Sequence, residues 1–106
     1  MSEGQRDIES LMKRIAEEGT TARAVVESAV NAAEKLNEPL NAFLQIDRDG
    51  ALKRAESLTN REGALAGIPV AIKDNICVQG MQASCGSHIL GDYHPPYNAT
   101  VIQRLL

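Results

Sequence analysis

Apolar residues first recur at helical spacing. Ile8, Leu11, Met12 and Ile15 fall at i, i+3, i+4 and i+7, which predicts a helix over 7–18. Gly19 can take the left-handed conformation that ends such a helix. Thr20 or Thr21 can cap the next one with its hydroxyl. That second helix is expected to run to about Leu36, with Val25, Ala29, Ala32, Ala33 and Leu36 turned inward. Asn37-Glu38-Pro39 should stop it, because proline lacks an amide hydrogen and the residue before it avoids helical backbone.

The period then shortens to two. Leu40, Ala42, Leu44 and Ile46 alternate with Asn41, Phe43 and Gln45, which predicts a strand over 40–46. Ala51, Leu52, Ala55 and Leu58 mark a third helix, followed by a polar loop through Asn60-Arg61-Glu62-Gly63. Ile68-Pro69-Val70-Ala71-Ile72 is an unbroken apolar run and predicts a strand covered on both faces. Pro69 suits only the start or edge of that strand. The run ends in Lys73-Asp74-Asn75, at the end of a strand where ligands bind in open α/β sheets. Residues 76–97 read as loop, punctuated by Gly80, Gly86, Gly91 and Pro95-Pro96. Asn98 is the expected cap of a last helix over 99–106, with Val101, Ile102 and Leu105 on its apolar side. The pattern predicts an α/β fold in which N-terminal helices surround the first strands of a larger mixed sheet. Nothing closes the helix after Leu105-Leu106. Residues 1–106 are therefore expected to be the N-terminal part of a single domain.

Composition narrows the core. With one Phe, two Tyr and no Trp, it must be built from Ala, Val, Ile and Leu. The formal charge is −3 and no stretch gathers Lys and Arg into a stripe, which argues against nucleic-acid contact by this piece. No apolar run reaches the ~20 residues of a membrane span. The opening Met-Ser-Glu-Gly-Gln-Arg-Asp lacks the basic and then apolar order of a secretory leader, so a cytoplasmic location is expected. In that compartment Cys77 and Cys85 should be free thiols. With His88 and His94 they give the spacing C-x7-C-x2-H-x5-H, which matches no compact zinc module. Buried small thiols and surface histidines are expected, and no metal site.

Lys73 carries the candidate chemistry. A lysine after five apolar residues is expected to be partly buried, and burial favours its neutral form, a usable general base. The plainer alternative is a lysine that snorkels from a strand end or pairs with Asp74.

Gly67-Ile68-Pro69-Val70-Ala71-Ile72-Lys73-Asp74-Asn75 closely resembles the segment of the amidase signature family that carries its catalytic lysine. Leu40-Asn41-Ala42-Phe43 resembles that family's first strand, Leu65-Ala66-Gly67 the approach to the lysine, and Ala83-Ser84-Cys85-Gly86-Ser87 the loop after it. Pro95-Pro96-Tyr97-Asn98-Ala99-Thr100-Val101 resembles one branch, the glutamine-hydrolysing subunits of tRNA-dependent amidotransferases. The resemblance runs from about residue 8 to the end. It departs at Asn98, where the family usually has Asp, and at Cys85 and His88.

The resemblance implies Lys73 as the base of a relay with a nucleophilic serine and a second serine in a cis peptide bond. Both serines are expected downstream of Leu106. Ser84 and Ser87 match a different loop and do not replace them. The branch implies glutamine as substrate and partner subunits that use ATP and magnesium to amidate an aminoacyl-tRNA. The tRNA would be reached through the partner, and no cofactor would be held in this chain. Two alternatives stand beside it. One is a stand-alone amidase acting on small amides, which would need no partner. The other is a non-catalytic truncated chain or interaction module, which would show its own cooperative unfolding.

Overall fold

The computed structural model describes residues 7–17, 19–58 and 63–106. Its helices in chain order are α1 (Ile8–Glu17), α2 (Ala22–Leu40), α3 (Arg48–Ser57) and α4 (Thr100–Leu105). No strand occurs among the described residues. The chain forms two compact units, Met1–Pro69 and Val70–Leu106.

In the first unit, α1 begins where Asp7 accepts the Ser10 amide at 2.7 Å. Ile15 is buried, Gly19 takes φ +69, and the predicted last helical residue, Glu18, lies outside the described residues. Thr21 is the cap of α2, its hydroxyl oxygen accepting the Ala24 amide at 3.1 Å.

α2 passes the predicted stop and continues through Pro39 to Leu40. Pro39 falls in the last turn, where its missing amide removes one hydrogen bond, to the Lys35 carbonyl. The end is fixed instead by Asn41, left-handed at φ 48, whose amide reaches the Asn37 carbonyl at 2.7 Å. The Asn37 side chain also pairs with the Phe43 main chain. Its amide donates to the Phe43 carbonyl at 3.0 Å, and its oxygen accepts the Phe43 N–H at 2.7 Å.

Val26 and Val30 of α2 and Ala55 of α3 form the small core, flanked by Ala22, Ile46, Ala51 and Leu52. The buried side chains of α2 are thus Val25, Val26 and Val30, with Ala22 half-buried beside the core. Of the inward residues expected from sequence, Val25 is buried, the three alanines are half-buried and Leu36 is exposed. Periodicity thus found Val25 and the half-buried alanines, overran at Leu36 and missed Val26 and Val30.

Asp47 caps α3 by accepting the Gly50 amide at 3.1 Å. A Cβ at position 50 would meet the Asp47 carboxylate as placed, so a larger residue there would require that side chain to shift. Arg48 reaches from α3 to Glu34 at 2.8 Å and to Glu27 at 4.0 Å on α2, and Arg23 pairs with Glu56. Exposed pairs of this kind contribute about 0–1 kcal/mol each. They orient the two helices more than they hold them.

The predicted strand over 40–46 does not form. Leu40 closes α2, residues 41–47 are irregular, and Leu40 and Leu44 are 66% and 68% exposed. Alternation marks a side chain's face only when a neighbouring strand supplies the ladder, and the described residues supply none. Of the polar loop at 60–63, residues 60–62 lie outside the described residues. The chain then turns at Gly63–Gly67. Gly67 (φ +85) packs so closely that a Cβ there would sit 2.8 Å from the Ala22 Cβ.

The predicted covered strand over 68–72 is also absent. The run is irregular and Val70 is 51% exposed. A strand of this kind needs partners on both edges and helices on both faces, and no second strand is present among the described residues to begin such a sheet.

The second unit is mostly loop up to α4, as the punctuation predicts. Main-chain bonds tie it together, among them Ala83 N–H to the Tyr93 carbonyl at 3.0 Å and Ala99 N–H to the Cys77 carbonyl at 2.9 Å. Ile102 of α4 is buried, while Val101 and Leu105 are exposed. Asn98 is not the cap of α4: its side chain accepts the Gln79 amide at 2.7 Å, and Ala99 stands at the cap position with no side-chain hydrogen bond.

Candidate functional site

Lys73 and Asp74 open a tight turn in the second unit. The Ile76 amide reaches the Lys73 carbonyl at 3.0 Å, which folds the chain back immediately after the apolar run. Lys73 itself is exposed, contrary to the burial expected of a strand end. That expectation rested on a covered strand, and no sheet forms among the described residues to cover the side chain.

Asp74 does not pair with Lys73. It is half-buried and its carboxylate grips the loop that follows. Oδ1 accepts the Ser84 amide at 3.0 Å, and Oδ2 accepts the Ser84 hydroxyl at 2.5 Å and the Gly86 amide at 3.1 Å. The Asp74 carbonyl accepts the Cys85 amide at 3.3 Å. Three successive main-chain amides thus converge on one residue. They do so because Cys85 (φ 52) and Gly86 (φ +68) both take the left-handed conformation, which curls the chain into an anion-holding concavity. Here the anion is the protein's own. These bonds, the Ser84 hydroxyl first and its amide next, hold the Asp74 carboxyl below its ordinary 3.8.

Ser84 is buried and its hydroxyl is committed to Asp74. Ser87 accepts the Ile89 amide at 3.2 Å, a local turn contact. The cysteine and histidine quartet is not gathered. The Cys77 thiol donates to the Tyr97 hydroxyl at 3.6 Å, and His94 Nδ1 lies 2.9 Å from the Asp92 carbonyl. Cys77 and Cys85 are free thiols, half-buried and exposed respectively, so the expectation of two buried thiols fails at Cys85.

Sequence reasoning singled out Lys73 and passed over the Asp74–Ser84 clamp. The clamp spans ten residues of loop, and no local spacing announces such a contact. The one available signal was the pair Cys85-Gly86 in a turn, which demands left-handed backbone.

No helix among the described residues is long and apolar enough to cross a membrane. The model of the amidase family matches residues 24–106. The chain is 38% identical over 103 residues to the A-type subunit of glutamyl-tRNA(Gln) amidotransferase from Oenococcus oeni, covering 93% of this chain and 21% of that protein. It is 42% identical over 91 residues to the protein of the same name from Alkaliphilus metalliredigens, covering 80% and 18%. Against the one from Gloeobacter violaceus it is 38% identical over 104 residues, covering 92% and 21%. The chain thus spans about a fifth of the length of the curated relatives it matches. With the lysine turn and its following loop inside the matched region, the chain belongs to the amidase family.

Proposed function

We propose that this chain is the lysine-bearing N-terminal segment of the ammonia-releasing subunit of a tRNA-dependent amidotransferase, an enzyme of protein biosynthesis. The observation that supports this most is the continuous likeness to the A-type subunits of glutamyl-tRNA(Gln) amidotransferases across about nine tenths of the chain, with Lys73 inside it.

In this reading the chain belongs to one larger domain of mixed α/β architecture. The segments at 40–46 and 68–72, irregular here, become strands when further polypeptide supplies their ladder partners. The same polypeptide covers Lys73 and so favours its neutral amine. Lys73 then withdraws a proton from a bridging serine, which takes one from the serine nucleophile. The nucleophile attacks the side-chain amide carbon of glutamine. The C–N bond breaks, the nitrogen leaves as ammonia with the relayed proton, and water later releases glutamate from the acyl-enzyme. In this reading both serines stand in further polypeptide, and residues 1–106 by themselves are expected to hydrolyse no amide. The ammonia passes to a partner subunit that spends ATP, with magnesium, on an aminoacyl-tRNA. The setting is cytoplasmic.

The test is ammonia release from glutamine by the longest natural polypeptide carrying this sequence, with and without its partner subunits. Lys73→Ala should lower the rate about 10²–10⁴-fold, the usual contribution of a positioned general base. Full activity of Lys73→Ala would remove the lysine from the mechanism. Hydrolysis of small amides with no partner dependence would favour a stand-alone amidase.

A further inference from the structure

We infer that Asp74 and Ser84 form a positioning device for Lys73, a role that rests on the lysine being the base proposed above. Lys73 is exposed and makes no ion pair among the described residues, so nothing holds its side chain directly. Its backbone is held instead. On the C-terminal side, the Lys73 carbonyl closes the turn to Ile76 at 3.0 Å. The next residue is fixed by four hydrogen bonds to Ser84, Cys85 and Gly86. The far loop is in turn anchored through Ala83 N–H to the Tyr93 carbonyl at 3.0 Å, so the clamp does not merely tie two loose ends together.

The clamp also disposes of a charge. A free aspartate beside the lysine would pair with it and hold it as ammonium, which is useless as a base. With its oxygens taken by Ser84 and Gly86, Asp74 is turned to a structural use. The readout beyond stability is the split between kcat and KM, since a clamp that aims the base acts on the chemical step.

The experiment uses the complete polypeptide with its partners and compares wild type, Lys73→Ala, Asp74→Asn, Ser84→Ala and the Asp74→Asn/Ser84→Ala double variant. Glutaminase kcat and KM are measured, with the folded fraction from thermal melts. Asp74→Asn should lower kcat about ten- to hundred-fold, the scale of a small misplacement of a catalytic group, with KM unchanged within about twofold. The loss should exceed any fall in the folded fraction, because a misplaced base slows the chemical step without unfolding the protein. Ser84→Ala keeps both main-chain donors and serves where Asp74→Asn fails to fold. It should lower kcat less, and the double variant should fall short of the product of the single losses, as expected for partners in one interaction. Wild-type kcat in both single variants, or losses that match the folded fraction, would overturn the inference and leave Lys73 as the base. An active Lys73→Ala would instead overturn the reading beneath it.

Discussion

Asp74 is the residue whose surroundings most clearly depart from those of an isolated side chain. Its hydrogen bonds from Ser84 and Gly86 require the carboxylate form and hold its pKa below 3.8 in the folded chain. A carboxyl depressed in this way stabilises the fold fully above its unfolded pKa and loses that contribution as pH falls through the unfolded value toward the folded one. Below about pH 4, amide-exchange protection at Ser84 and Gly86 should therefore decline in the wild type. In Asp74→Asn it should be low and flat across the same range. Equal protection in both proteins would mean that the loop holds its shape without the carboxylate. Single residues were legible from sequence where the determinant is local. Thr21 as a cap and Gly19 as a left-handed terminator both depend on neighbours within a turn. Asp74 and Asn98 were not legible, because their partners at 84–86 and 79 lie across loops.

At the scale of elements, the end of α2 shows how a side chain can overrule a stop signal. Asn37 reads as a terminator, yet it makes two hydrogen bonds to the Phe43 main chain and carries the helix past Pro39. Asn37→Ala removes both, at about 1–2 kcal/mol for a pair of neutral hydrogen bonds. The urea midpoint should fall, and amide exchange should quicken around Asn41 while the Thr21 end stays unchanged. A variant with the wild-type midpoint would assign the helix end to the left-handed Asn41 alone. The same comparison explains why α1 and α3 could be read and the strands could not. A helix satisfies its hydrogen bonds within its own segment, so Ile8, Leu11, Met12 and Ile15 suffice to declare it. A strand is defined by a partner, and 40–46 and 68–72 meet none among the described residues.

At the scale of the whole molecule, burial is sparse. The buried apolar side chains among the described residues are Ile15, three valines, two alanines, Ile102 and Pro95, and none of them is completely enclosed. Ile89 stands 95% exposed, and Leu44 and Leu106 are more than half exposed. By itself the chain should therefore melt broadly and bind ANS, as loosely packed chains with open apolar surface do. A sharp calorimetric transition without dye binding would show that each unit packs independently. The family was legible from the lysine segment, while the sheet was not, since the matched relatives are about five times longer than the chain. The Asp74 clamp also bears on how such a sequence can drift over generations. Two of the three donors to its carboxylate are main-chain amides, which persist through any replacement except proline. Their convergence still needs left-handed backbone at Gly86, so inheritance of the clamp rests chiefly on two codons, those for Asp74 and Gly86.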